Sequence, residues 1–161
     1  LDSTIKKFGV ASTDAGKTIN LTATNERVPE TIHTTATSED GTHIQEPHKQ
    51  ATITDRVQYE NAVIGKKYTV TGVLMDKSTR AALLDDSGNK VTKSVSFTAK
   101  TTSGYIDVPF TFDAHLLAGK TVVAFETLSR DGREVAVHND IEDEGQTIIF
   151  STPKMAPQRL T

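Results

Sequence analysis

"ATITDRVQYE", residues 51–60, alternates apolar and polar side chains: Ala51, Ile53, Val57 and Tyr59 fall on one face, Thr52, Thr54, Arg56, Gln58 and Glu60 on the other. A period of two is the mark of a half-buried β-strand, because successive side chains point to opposite sides of a pleated chain. Asp55 breaks the pattern by standing in phase with the apolar face. A carboxylate facing inward is costly unless it is paired or protonated. The stretch therefore raises two questions together, that of the fold and that of what the aspartate is for.

Working outward, the same alternation recurs in "KYTVTGVLM" (67–75), "KSVSFTA" (93–99), "GYIDVPFTF" (104–112), "KTVVAFETL" (120–128), "EVAVH" (134–138) and "QTIIF" (146–150), with the valine and threonine that strands favour. Turn signals separate them: Asp40-Gly41, Asp86-Ser87-Gly88-Asn89, Ser103-Gly104 and Asp131-Gly132. Short strands at this spacing predict an all-β chain, folded as an immunoglobulin-like antiparallel β-sandwich. The stretch "DAHLLAGK" (113–120) predicts at most one helical turn, capped by Asp113.

At 161 residues the chain suits one well-buried domain. Residues 30–151 carry the sandwich pattern. Residues 1–29 contain one further strand candidate, with Ile19, Leu21 and Ala23 in phase, and read as a linker or the terminal strand of a preceding module, or as an extra edge strand of this one. Residues 152–161, with two prolines, read as a C-terminal tether. A net charge of −3 without a lysine- or arginine-rich block gives no footprint for nucleic acid or an anionic membrane surface. The absence of cysteine excludes disulfides, thiolate metal sites and a cysteine nucleophile. No apolar run approaches the roughly 20 residues that span a bilayer, and the N-terminus lacks a signal-peptide pattern, so the chain reads as a mature fragment of a longer protein.

Strand phase then selects the chemistry. Glu126 is in phase with Val122 and Ala124, Gln146 with Ile148 and Phe150, and Thr34 with Ile32 and Ala36 in "TIHTTATS" (31–38). His138 ends its strand just before the acidic turn. If Asp55 and Glu126 meet in an apolar setting, desolvation and like charge both favour a proton on one of them. That proton polarises the Gln146 carbonyl for attack by a threonine hydroxyl hydrogen-bonded to a histidine, giving a Thr–Gln ester with loss of ammonia. The bland reading of each residue stands beside this one: an in-phase glutamine is usually a hydrogen-bonded structural amide, and inward acids can accept backbone N–H groups. "DIEDEG" (140–145) imitates the start of a calcium loop, but its acids are partly glutamate and its twelfth position is Ser151, so no metal is assigned.

The stretches "IHTTAT", "ITDRVQYENAVIGKKYTVTGVLMDK", "VPFTFDAHLLAGKTVVAFE" and "VAVHNDIEDEGQTI" resemble the repeat modules of Gram-positive surface-anchored adhesins known as VaFE-type or Thr–Gln ester-bond domains. "VVAFE" and the "H…D..GQT" ending are the most specific pieces. The resemblance implies a self-formed ester between the first and last strands, with Gln146 as acyl donor, His138 as assisting base or orienter, and Glu126, Asp55 and Asp143 as the acids. "HTTAT" offers Thr34, Thr35 and Thr37 as nucleophile, and the I-x-T pattern with strand phase favours Thr34. It also implies a monomeric, extracellular stalk module, anchored to the cell wall through its parent, that needs no cofactor and performs one self-modification instead of turning over substrate. Its partners would be neighbouring repeats, with any host ligand held by another domain. A ligand-binding adhesin module, a Lys–Asn or Lys–Asp isopeptide domain and a hydrolase using the same residues are the competing expectations.

Overall fold

Each alternating run forms a strand in the computed structural model, which describes residues 27–152. In chain order the strands are β1 (Thr31–Thr37), β2 (Ile44–Gln45), β3 (Ala51–Glu60), β4 (Lys67–Asp76), β5 (Ala81–Ala82), β6 (Thr92–Thr98), β7 (Gly104–Phe112), β8 (Thr121–Arg130), β9 (Arg133–His138) and β10 (Thr147–Phe150), with a 3-10 turn at Glu144–Gln146 before β10. The strand candidate with Ile19, Leu21 and Ala23, and the tether beyond Thr152, lie outside the described residues.

Two sheets face each other. The smaller has the order β1-β3-β7, all antiparallel. The larger is built on β4 and β8, paired antiparallel from Tyr68↔Arg130 to Asp76↔Val122. β6 and β5 share the far edge of β4. β9 pairs with the C-terminal half of β8 and β10 with its N-terminal half, and β2 adds a short parallel pairing beyond β10. Between the sheets lie Ile53, Val57, Val108 and Phe110 from one side and Tyr68, Val70, Leu74, Ala124, Leu128, Ile148 and Phe150 from the other, all essentially without solvent contact. Each large apolar side chain buried this way contributes about 1.5–3 kcal/mol.

The turns follow their local chemistry. Asp131 and Gly132 both take positive φ, 55° and 76°, the two-residue hairpin whose twist suits the flanking β8 and β9. Residues 113–120 form two successive turns, closed by Leu117 N–H to the Ala114 carbonyl and Lys120 N–H to the Leu117 carbonyl, instead of the expected helical turn. Asp113 still accepts the backbone N–H of His115, so the cap is present while no helix follows it.

The chain enters and leaves at opposite ends of the sandwich. Glu30, just before β1, touches Arg130 at the end of β8, whereas Phe150 donates its N–H to the carbonyl of Lys120 at the other end. Ten residues of β8 separate them, about 30 Å of extended chain. Among the described residues no helix is long and apolar enough to cross a membrane.

Candidate functional site

Strand phase brings four polar side chains into the core. β3 is buried at every second residue from Ala51 to Tyr59, which turns Asp55 inward. β8 does the same with Glu126, and both acids are fully buried. On β1, Thr34 and Ala36 face inward, while Thr35 and Thr37 line a shallow groove on the outer face with Arg56 and Asp107. Gln146, expected as the first residue of the last strand, is instead the last residue of the 3-10 turn, one position before β10 begins, and it too is fully buried. β1 packs against β9 and this turn, which brings the first strand to the segment carrying the glutamine.

The 3-10 turn is fixed by Asp143. Its side chain caps the turn by accepting Gly145 N–H at 2.8 Å, and its carbonyl accepts Gln146 N–H and the Thr147 hydroxyl. The second carboxylate oxygen of Asp143 accepts His138 Nε2–H at 2.5 Å. Burial acts to raise the Asp143 pKa, but the bonds from His138 and Gly145 outweigh it and hold the carboxyl below its ordinary range. With Nε2 donating to a carboxylate, the neutral imidazole has its lone pair on Nδ1. The other acids of the calcium-like run are turned elsewhere: Asp140 caps Glu142 N–H, and Glu142 pairs with Lys77 and Arg80.

The Gln146 amide is held from one side only. Nε2 donates to Asp55 Oδ2 at 2.9 Å and to the Ala124 carbonyl at 3.1 Å, both of its hydrogens being used. Among the described residues the buried side-chain atoms left without a conventional partner are Thr34 Oγ1, Asp55 Oδ1, both oxygens of Glu126 and Gln146 Oε1. Each unmade bond of this kind costs about 1–3 kcal/mol, and all five belong to residues that the sequence pattern places inward together. Apart from the Thr34 hydroxyl these are oxygens that only accept unless a carboxyl is protonated, so the cluster calls for a proton.

Glu126 supplies it. Burial, followed by the neighbouring carboxyl of Asp55 and its charge, raises the Glu126 pKa far above the carboxylate range. Burial raises Asp55 as well, opposed by its bonds to Glu126 and Gln146 and by the nearby His138. Both carboxyls are thus pushed toward the neutral form, which favours a proton within the pair, and the orphaned oxygens are the places such a proton can serve. The arrangement contains a hydroxyl, a carboxamide anchored through its nitrogen, a neutral acid and an imidazole–carboxylate pair, the parts needed for acyl transfer. The hydroxyl of Thr34 makes no hydrogen bond to His138, unlike the sequence expectation; with Nε2 on Asp143, Nδ1 is the ring nitrogen left to accept a proton.

One component escaped the sequence reading. Gly72 on β4 lies opposite Glu126 in the register, and a Cβ there would stand 2.5 and 2.6 Å from the Glu126 oxygens and 2.6 Å from Phe110 Cζ. Only glycine leaves room for the carboxyl. The signal was present in "TVTGVLM", since a glycine inside a strand often marks the close approach of another group.

With this geometry in hand, comparison with known proteins gives a consistent result. The sequence matches the family described as "T-Q ester bond containing domain" over residues 30–150. No curated protein matches the chain. Among solved structures, a bacterial adhesin from Mobiluncus mulieris "containing intramolecular disulfide, isopeptide, and ester bond cross-links" superposes with a TM-score of 0.66 at 17% identity, in two crystal forms. The match covers 78% of this chain and 58% of that one, so the chain spans little more than half of the adhesin's length. A glycosyl hydrolase family 2 member from Bacteroides cellulosilyticus shares the sandwich at a TM-score of 0.51 and 11% identity, covering 70% of this chain and 15% of that one. Likeness at these identities concerns the fold. Membership rests on the sequence match, which covers the whole sandwich and all six site residues: this chain belongs to the T-Q ester bond containing domain family.

Proposed function

We propose that Thr34 and Gln146 join in an intramolecular ester that makes this domain a covalently locked module of an extracellular surface adhesin. The observation that supports the reading is the set of orphaned atoms: the Thr34 hydroxyl, the Gln146 carbonyl oxygen and the oxygens of Asp55 and Glu126 are buried without a hydrogen-bond partner, and β1, β8 and the 3-10 turn that carry Thr34, Glu126 and Gln146 pack against one another. The hydroxyl oxygen of Thr34 attacks Cδ of Gln146 while the Glu126 proton polarises Oε1. His138, oriented by Asp143, takes the hydroxyl proton and passes it to the departing nitrogen. The O–C bond forms, the C–N bond breaks, and ammonia leaves. Asp55 holds the amide nitrogen in place until it departs. No cofactor or metal enters this step, and it happens once per chain.

The lock closes a loop of more than a hundred residues, which by the chain-entropy argument used for disulfides stabilises the fold by about 4–5 kcal/mol. Because the chain enters at Glu30 and leaves at Thr152, pulling force would run through β1 to Thr34, across the ester, and out along β10. Everything between residues 35 and 145 would be spared. A monomeric stalk module between other modules of the same chain, anchored to the cell wall through its parent, is the role this suits.

Intact mass tests the reading. The mature chain is expected to weigh about 17 Da less than its sequence, one ammonia, and Thr34→Ala or Gln146→Ala to restore the full mass. An isopeptide bond would survive both substitutions, and a hydrolase would show no deficit at all.

A further inference from the structure

The ester chemistry leaves one buried carboxylate unused. Glu30 is the last residue before β1 and lies on its inward side with Thr34 and Ala36, only 5% exposed. Three donors from three parts of the chain converge on it. The Tyr68 hydroxyl, on β4, donates to Oε2 at 2.7 Å; Arg130 Nε, at the end of β8, donates to the same oxygen at 2.8 Å; Arg27 donates to Oε1 at 3.1 Å. Tyr68 is itself held by the N–H of Val63 at 2.8 Å. Burial opposes ionisation, but Tyr68 and the two guanidinium groups hold the Glu30 pKa down to about 2. An acid so firmly ionised has no proton to lend to acyl transfer.

What it does is span the sandwich. Among the described residues β1 lies at the edge of the smaller sheet and is hydrogen-bonded along its length to β3 alone. Glu126 and the segment carrying Gln146 belong with the larger one. Before any ester exists, β1 is held against that sheet by apolar contacts, which are not directional, and by Glu30, whose bonds to β4 and β8 are. Glu30 is four positions from Thr34, about 13 Å of strand, so a slip at Glu30 is passed directly to the nucleophile. We propose that Glu30 is a positioning residue of the ester-forming reaction, a polar bridge that sets β1 against the larger sheet and so brings the Thr34 hydroxyl to Gln146. The inference rests on the Thr34–Gln146 reading above.

The test follows the reaction from uncross-linked chains. Full chains synthesised in vitro and trapped in denaturant carry no ester, and dilution starts folding, read by tyrosine fluorescence, while intact mass reads ammonia loss. Glu30→Gln is expected to fold and then lose ammonia roughly ten- to a hundredfold more slowly than wild type, the scale of a small misplacement of a reacting group. Arg130→Gln is expected to give a smaller delay, and Arg56→Gln, which breaks a surface pair with Asp107 on the outer face, none. A purely structural role would slow folding or lower stability and leave ammonia loss from the folded chain at the wild-type rate, and that result overturns the proposal. Should Glu30→Gln fail to fold, Arg130→Gln decides by the same criterion. If wild type itself loses no ammonia, the ester reading falls; if wild type does and Glu30→Gln keeps pace, only the positioning role falls.

Discussion

Two buried acid clusters in this domain are made of the same side chain and behave in opposite ways. Glu30 and Glu126 are each almost without solvent contact. Glu30 meets two guanidinium groups and a phenol, and is held down to about 2. Glu126 meets a second carboxyl and no cation, and is raised far above its ordinary range. Burial disfavours charge at both places; the partner decides which way the balance falls. One acid becomes a fixed anion suited to bridging strands, and the other a proton store suited to polarising a carbonyl.

The comparison can be broken most severely by removing the product of the second cluster. Thr34→Ala leaves the acids in place and abolishes the ester, and urea denaturation is expected to show a loss of about 4–5 kcal/mol relative to wild type. In that Thr34→Ala background the two clusters should then pull stability in opposite directions with pH. Glu30 is lowered in the folded state, so its contribution is present above its ordinary value of 4.5 and is lost as pH falls toward about 2, on the order of 3 kcal/mol in all. Glu126 is raised, so the folded chain keeps a proton that the unfolded chain has released. That contribution is full below 4.5 and is eroded as pH rises above it. Denaturation of Thr34→Ala is thus expected to show greater stability at pH 5 than at pH 8, and adding Glu126→Gln to flatten that slope while leaving the loss below pH 4.5 intact.

Gly72→Ala sharpens the contrast sterically, because it crowds only the second cluster. A methyl group at 2.5–2.6 Å from the Glu126 oxygens and Phe110 is expected to cost about 1–3 kcal/mol, seen as a lower Tm, and to reduce ester yield by intact mass. The smallest effect is expected from Arg56→Gln. Its pair with Asp107 is half-exposed, so thermal unfolding should register about 0–1 kcal/mol and the mass no change.

Much of this was legible in the sequence because β structure writes its burial into alternate positions. Asp55, Glu126 and Gln146 stand out as polar residues in an apolar phase, and Thr34 is distinguished from Thr35 and Thr37 by the same rule, since only its side chain is turned inward. What periodicity misses is whatever has no period. β2 and β5 are two residues each and leave no pattern. Gly72 has no side chain to alternate, and its meaning appears only when the register sets it beside Glu126. Glu30 sits before the first strand, and its partners on the larger sheet lie 38 and 100 residues away. The helical turn expected at 113–120 fails for a local reason: the cap at Asp113 is real, but the chain closes as two successive turns and Gly119 takes positive φ, which no helix continues through.

The most direct test of the covalent account is peptide mapping of the mature, untreated chain by tandem mass spectrometry. The account predicts a single branched species in which the peptide carrying Thr34 is joined to the peptide carrying Gln146, separating on treatment with hydroxylamine, which cleaves esters. Recovery of the two peptides as separate species, with the Gln146 carboxamide intact, would contradict it.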